Sequence, residues 1–252
     1  MPSMTNARKP VGIGGELTLR RMNKGAHAEL SEWGFSHAKP SRNADCADLG
    51  CGGGANIARL LAYAPEGTVR GLDYSDVSVS KSRRFNRREV RKGRCEVVKG
   101  DVSELPFGDS TLDFVTAFET VYFWPDIAKA FAEVNRVLRG GGEFMVCNET
   151  DGTNPEHEKW IEEIGEMAIY TEGQLRNALE QAGFGDIRSA GDPEKNWLVV
   201  IARKARANGH RASSGTRWLS VLSCKFLKPL RKNVRKFTAE SGLPNTIELY
   251  ES

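Results

Sequence analysis

The stretch that decides the fold is Asp45-Cys46-Ala47-Asp48-Leu49-Gly50-Cys51-Gly52-Gly53-Gly54-Ala55. A short apolar run ends here in a glycine-rich loop, and a helical pattern begins directly after it. Glycines at such a junction let backbone N–H groups and a helix N-terminus approach a ligand closely. The segment therefore predicts a strand, a ligand-binding loop and a helix in succession.

Short apolar runs and helical patterns alternate along most of the chain, which is typical of βα winding around a mostly parallel sheet covered on both faces. The predicted strands are Ala44–Leu49, Thr68–Leu72, Cys95–Lys99, Leu112–Phe118 and Gly142–Asn148. The predicted helices between them are Ala55–Ala64, Asp76–Arg91 and Asp126–Leu138.

The end of this alternating region has a different pattern. Thr171 and Gln174 form a capping box for a helix that Gly183 ends at about Ala182. Two strands follow without a helix between them, Phe184–Ala190 and Trp197–Ala202. Strands joined by a tight loop run antiparallel, so we expect the sheet to end in a hairpin.

The glycine loop alone is compatible with two kinds of ligand. Gly50-x-Gly52-x-x-Ala55 also satisfies the dinucleotide fingerprint, with Asp73 at about the right distance for a ribose. Asp48, however, precedes the first glycine by two residues, and its carboxylate would repel the two phosphates of a dinucleotide. A ligand with a cationic amine fits this position better.

With these motifs together, the chain resembles the class I S-adenosylmethionine-dependent methyltransferases over about residues 40–203. The resemblance rests on motifs in the family's order, with Gly140 standing where the family often has proline. They are the glycine loop, Gly71-Leu72-Asp73, Gly100-Asp101-Val102, Leu105-Pro106-Phe107 and Arg136-Val137-Leu138-Arg139-Gly140-Gly141-Gly142.

The resemblance implies an α/β fold, a Rossmann-like, doubly wound, seven-stranded sheet that is mostly parallel and ends in an antiparallel hairpin. It also implies S-adenosyl-L-methionine as cofactor and S-adenosylhomocysteine as product. The alternative for Asp73 and Asp101 is a role in turns or caps. The expected contacts are Asp48, Gly50 and Gly52 to the methionine moiety, Asp73 to the ribose, Asp101 and Val102 to the adenine, and Tyr74 and Glu119 as further cofactor contacts.

A methyl acceptor would lie beyond the carboxyl ends of the fourth and fifth strands. We expect Glu119, Tyr122, Trp124 and His27 to line this site as catalytic residues, with Trp33 a further candidate. Glu119 could act as a base or hold a polar substrate group. The alternatives are that Phe123 and Trp124 close the core, that Glu119 and Glu149 are loop acids, and that His27 lies on the surface.

The sequence gives no sign of metal or disulfide chemistry. The four histidines are isolated from acids at ligand spacing, so we expect no metal site. The five cysteines are scattered, which favours reduced thiols. No apolar run is long enough for a transmembrane helix, and Met1–Pro10 lacks the apolar core of a signal peptide. We therefore expect a cytoplasmic protein.

The net charge of +3 conceals a basic C-terminal segment. From Arg203 onward there are 11 Lys and Arg against 3 Asp and Glu, and five apolar residues recur there every four positions. This amphipathic basic pattern would dock on the protein itself, pack in a homodimer, or contact a membrane surface or RNA. The basic run at 81–92 is interpreted as a solvated helix face.

We expect a helical lead-in or lid at residues 1–43, a cofactor-binding domain at 44–203 and a basic appendage at 204–252. The leading hypothesis is methyl transfer to a small molecule by in-line displacement. The alternatives are an RNA methyltransferase anchored by the basic segment and a noncatalytic cofactor-binding protein. The body carries 25 basic against 30 acidic residues up to Ala202, so we expect no nucleic-acid partner.

Overall fold

A computed structural model describes residues 26–155 and 167–206, together with Gly12, Gly14, Gly15, Leu19 and Ile161. All of them belong to the unit Met1–Gly209. The predicted basic appendage and most of the lead-in before Ala26 lie outside the described residues. No helix in the described part of the chain is long and apolar enough to cross a membrane.

The described chain forms a seven-stranded sheet with helices on both faces. The strands are β1 (Cys46–Leu49), β2 (Val69–Asp73), β3 (Cys95–Lys99), β4 (Leu112–Phe118), β5 (Leu138–Asn148), β6 (Phe184–Asp192) and β7 (Trp197–Lys204). The helices are α1 (Ala26–His37), α2 (Ala55–Tyr63), α3 (Asp76–Phe85), α4 (Arg87–Arg91), α5 (Ile127–Val137) and α6 (Glu172–Gln181), and Val121–Phe123 forms a 3₁₀ turn.

The strand order is β3-β2-β1-β4-β5-β7-β6. The first five strands pair in parallel, whereas β7 runs antiparallel to both β5 and β6. The predicted fold class and its antiparallel end are therefore confirmed. The order reverses between β1 and β4, and a crevice for a ligand forms at the carboxyl ends of strands at such a switch point.

Apolar side chains bury both faces of the sheet in two clusters. One cluster holds Phe131, Val134 and Leu175 from α5 and α6, and the other holds Leu30 and Ile57 from α1 and α2. β1 is buried along its whole length, as expected for a central parallel strand. The core thus holds the carboxyl ends of β1 and β4 in fixed positions beside each other.

The predicted helix over 76–91 is wrong in one respect, because it is interrupted at Asn86. The buried Asn86 side chain donates through Nδ2 to Gly54 O at 3.0 Å and to Ser82 O at 3.1 Å. This side chain ties the end of α3 to the glycine loop, and α4 starts a new helix after it. A tertiary contact of this kind leaves no periodic signal in the sequence.

Strand bounds differ from the predicted ones mainly after α5 and at the last strand. β5 begins at Leu138, which pairs with Leu112, four residues before the predicted start. β7 continues to Lys204, whose Nζ donates to Asn135 O at 2.6 Å and Leu138 O at 2.7 Å. The capping box of α6 and the left-handed Gly183, at φ +85°, are confirmed.

Candidate functional site

The glycine loop between β1 and α2 has a backbone that only glycine adopts easily. Gly50, Gly52 and Gly54 all have positive φ, at +76°, +47° and +82°. A Cβ on Gly50 would collide with the Thr120 side chain, and one on Gly54 with that of Ser82. A Cβ added at Gly52 would make only ordinary contact, with a Leu19 side-chain carbon at 3.4 Å.

Asp73 is the last residue of β2, and its carboxylate is hydrogen-bonded to the glycine loop that follows the neighbouring strand β1. Its Oδ2 accepts from the backbone N–H of Gly52 at 2.9 Å, and its Oδ1 accepts from that of Ser75 at 2.9 Å. Burial raises the pKa of this carboxyl, while those backbone donors oppose the rise. Asp73 also lines the main cavity, where a carboxylate can accept hydrogen bonds from ligand hydroxyls.

A cavity of about 260 Å³ opens at the switch point between β1 and β4. It brings together every predicted cofactor residue except Asp48. The residues that line it are Leu19, Gly50, Gly52, Leu72, Asp73, Tyr74, Ser78, Gly100, Asp101, Val102, Phe118, Glu119, Thr120, Phe123, Trp124 and Pro125.

Asp48 lies beneath the glycine loop, 2% exposed, and the described residues that line the cavity do not include it. Thr116 Oγ1 donates to Asp48 Oδ1 at 2.7 Å. Burial raises the pKa of Asp48 to about 7, against the effect of this hydrogen bond. Its direct partner is therefore Thr116 on β4, and direct contact with a methionine moiety stays a prediction.

Asp101 forms a turn and also borders the main cavity, while its contact with an adenine stays a prediction. Its Oδ1 accepts from Ser103 N at 2.8 Å and from Ser103 Oγ at 2.7 Å, and these bonds lower its pKa. This is an Asx turn, and the same residue also lines the cavity beside Val102.

A smaller, polar cavity adjoins the first at the glycine loop. It shares five residues with the first cavity and adds residues of α1 and α2. The shared residues are Leu19, Gly50, Gly52, Phe118 and Glu119. Most of its polar residues were not expected from the sequence, although Asn56 and Arg59 are three apart on the helix after the loop. The added polar side chains are His27, Ser31, Asn56 and Arg59.

Arg59 makes only long hydrogen bonds within the described structure, to Asn56 Oδ1 at 3.4 Å and to Ala28 O at 3.5 Å. Its guanidinium is the cationic group of this smaller cavity. Two long bonds leave other guanidinium donors for a ligand carboxylate.

His27, Glu119 and Glu149 meet beside these cavities. His27 Nδ1 and Glu119 Oε2 are hydrogen-bonded. One ring nitrogen of His27 and one carboxylate oxygen of each glutamate all lie within 4.8 Å of one another. The expectation that the histidines are isolated from acids is wrong for His27, because α1 packs across the end of β4 and brings together residues 92 positions apart.

The cluster perturbs the pKa values of its members. The hydrogen bond to Glu119 raises the pKa of His27, although burial opposes this. Burial and the charge of Glu119 raise the pKa of Glu149 to about 8. Glu119 itself has φ +56°, a left-handed backbone that non-glycine residues rarely adopt. Such strain concentrates at functional sites.

The two aromatic acceptor candidates are largely parts of the core. Trp124 stacks on Phe144 with ring centroids 6.4 Å apart, and its Nε1 donates to Thr120 Oγ1 at 3.1 Å. One part of its ring still reaches the main cavity. Tyr122 is buried, burial raises its pKa well above the usual range, and it is not among the described residues lining either cavity.

Trp33 also lies away from both cavities within the described structure. Its ring packs against Trp197, with centroids 5.7 Å apart, and against His37 at 4.8 Å. This side chain therefore anchors α1 to β7, a packing role that was not expected from the sequence.

Comparison with known proteins finds similarity to methyltransferases. Residues 47–146 match the family model described as a methyltransferase domain. The sterol 24-C-methyltransferase of Kluyveromyces lactis is 32% identical over 146 residues, which cover 54% of this chain and 39% of that protein. The sterol 4-C-methyltransferase strm-1 of Caenorhabditis elegans is 26% identical over 172 residues, 65% of this chain and 50% of that protein. The chain thus spans half or less of these curated relatives.

Among solved structures, the fold is similar to that of geranyl diphosphate C-methyltransferase from Streptomyces coelicolor, in a complex that contains S-adenosyl-L-homocysteine. The TM-score is 0.63 at 13% identity, over 71% of this chain and 79% of that one. The matched segment contains the glycine loop, Asp73 and Asp101, and it ends in β5. Residues 47–146 of this chain are thus similar to the methyltransferase domain family, and the fold is shared with a methyltransferase of known structure.

Proposed function

We propose that this protein transfers a methyl group from S-adenosyl-L-methionine to a small-molecule acceptor. The observation that carries the proposal is one continuous cavity, with Asp73 and Asp101 at one part of its wall and Glu119 with aromatic side chains at another. A cofactor fixed by the two aspartates would extend past the glycine loop toward Glu119.

The residues present fit the cofactor's chemical groups. The carboxylate of Asp73 lines the cavity and would accept the two ribose hydroxyls, and such charge-assisted bonds are about twice as strong as neutral ones. Asp101, Val102 and Tyr74 would border the adenine. The smaller cavity would take the methionine end, with Arg59 facing its carboxylate.

The acceptor would meet the methyl group beside Phe118, Phe123 and Trp124, where the wall is mostly apolar. A sulfonium is a good leaving group, so the protein mainly has to align the two reactants and exclude water. Glu119 borders both cavities and is hydrogen-bonded to His27 in the smaller one, and these two side chains would hold the acceptor's polar part. The names of the curated relatives make a sterol the first apolar acceptor to test.

The roles of residues 204–252 in docking, homodimer formation or membrane contact remain predictions, as do the division into three regions and the cytoplasmic location. RNA methylation remains the alternative that the basic composition of this segment favours. A noncatalytic cofactor-binding protein is the other alternative.

The experiment measures S-adenosylhomocysteine formed by the full-length protein with sterols, amines, hydroxylated metabolites and tRNA as acceptors. We expect turnover with a small molecule and none with tRNA. Glu119→Gln and His27→Ala should lower turnover more than cofactor affinity, because both side chains lie at the acceptor end. Glu66→Gln, an exposed residue paired with Arg42, serves as the control.

Turnover with tRNA alone would favour the RNA alternative, and cofactor binding without turnover on any acceptor would favour the noncatalytic one. Equal losses of cofactor affinity and turnover in Glu119→Gln and His27→Ala would place these residues at the cofactor alone.

A further inference from the structure

One partly buried cluster in the protein places two acidic side chains against a single imidazole. His27 belongs to α1, Glu119 follows β4 and Glu149 follows β5, so three separate elements converge on it. Their donor atoms lie within 4.8 Å of one another. Two carboxylates therefore share a single imidazole.

The described residues supply no other cation to this cluster. Within 26–155 and 167–206, no lysine or arginine forms an ion pair with Glu119 or Glu149, and the ion pair of Glu119 is with His27. The Glu119 side chain is nine-tenths buried, and its Oε1 has no hydrogen-bond partner among these residues. A buried carboxylate oxygen without a donor is costly unless a ligand satisfies it.

The backbone holds Glu119 in the orientation that creates this arrangement. Its N–H donates to Cys147 O at 2.9 Å, which ties it to β5 two residues before Glu149. Its positive φ turns the chain immediately after β4. The two carboxylates are thus brought together by the pairing of β4 with β5, and α1 adds the imidazole.

We propose that the His27–Glu119–Glu149 cluster binds one divalent metal ion. Two carboxylate oxygens and one imidazole nitrogen form a donor set that suits first-row metals such as Mn²⁺ or Zn²⁺. The ion would balance the second carboxylate and satisfy Glu119 Oε1. Each ligand is on a different element, so the scaffold rather than a flexible loop sets the geometry.

Three protein ligands leave coordination positions open on such an ion. Because Glu119 and His27 line the cavities, these positions would face the acceptor. The site thus selects an acceptor that carries an oxygen donor, such as a hydroxyl or an enolate, beside its apolar part. This role rests on the proposed methyl transfer, whereas binding of the ion does not.

The test is titration of the chelator-treated, full-length protein with MnCl₂, with free Mn²⁺ followed by electron paramagnetic resonance. We expect about one ion per chain. Glu149→Gln and Glu119→Gln should each weaken binding at least about tenfold, as loss of a ligand requires. The control Glu66→Gln should bind as the wild type does, and circular dichroism checks that each variant is folded.

The proposal is overturned if the wild type binds no Mn²⁺ below about 1 mM, or if Glu149→Gln binds it as tightly as the wild type. A parallel titration with S-adenosylmethionine separates this from the proposed function. If the protein binds the cofactor and turns over but takes up no Mn²⁺ in the titration, the metal site alone is refuted. Mn²⁺ binding without cofactor binding would refute the proposed function alone.

Discussion

Asp73 at the end of β2 accepts the backbone N–H of Gly52 across 2.9 Å, so the acid and the glycine loop form one hydrogen-bonded unit. A second backbone bond, from Ser75, fixes the other oxygen of the same carboxylate. The side chain that we propose as the ribose ligand therefore also holds the glycine loop in place.

Asp73→Ala should weaken S-adenosylmethionine binding at least tenfold. Each lost bond to a charged acceptor costs about 1.5 to 3 kcal/mol, and about 1.4 kcal/mol corresponds to a factor of ten. Calorimetric titration measures the effect. Asp76→Ala is the matched control, since Asp76 lies three residues further on, is exposed and pairs with Lys99. Equal affinities for Asp73→Ala and the control would remove Asp73 from the site.

Asp48→Asn should stabilise the cofactor-free protein at pH 8 more than at pH 5. The folded state holds the proton of Asp48 up to a pKa of about 7, against 3.8 for an ordinary aspartate, because burial disfavours the charge. Between pH 3.8 and about pH 7 the unfolded state has released this proton and the folded state still holds it. The free energy of unfolding of the wild type therefore falls as the pH rises through this range. The loss amounts to at most about 4 kcal/mol above pH 7, and asparagine removes it.

Thermal denaturation at both pH values, with Asp76→Asn as an exposed control, measures this difference. An Asp48→Asn variant that is less stable than the wild type at pH 8 would mean that the carboxylate is ionised and well solvated in the folded protein.

Gly54→Ala should lower the melting temperature. Gly54 has φ +82°, where alanine costs about 1 to 2 kcal/mol, and its Cβ would lie 2.9 Å from Ser82 Cα. Gly173→Ala is the control, because Gly173 lies in α6 and a Cβ added there would meet no atom within 4 Å. Alanine at that position should stabilise the helix by about 0.5 to 1 kcal/mol. Equal melting temperatures for Gly54→Ala and Gly173→Ala would mean that the glycine loop does not need a left-handed backbone at Gly54.

Truncation after Arg206 should leave cofactor affinity within about threefold, a factor worth less than about 0.7 kcal/mol. The cavities are lined by residues before this point, and β7 ends at Lys204. Truncation after Ala202 should instead destabilise the protein, because it removes the bonds of Lys204 to Asn135 and Leu138. Sizing chromatography, cofactor titration and thermal melts compare the two. Loss of cofactor binding in the longer fragment would show that the appendage contributes to the site.

The sequence predicts those parts of the site that depend on strand register. Asp73 and Asp101 follow strands with clear apolar patterns, so their positions at one sheet edge could be worked out in advance. The contact of His27 with Glu119 could not, because it depends on how α1 docks across β4, and docking leaves no local pattern. The break at Asn86 and the packing of Trp33 on Trp197 also result from tertiary contacts.

The position of the cofactor is the central claim, and a crystal structure with S-adenosylhomocysteine measures it directly. We expect both ribose hydroxyls on the Asp73 carboxylate at about 2.7 Å, the adenine beside Asp101 and Val102, and the sulfur toward Glu119. A ribose that does not contact Asp73, or a sulfur that lies in neither cavity lined by Glu119, would contradict this claim.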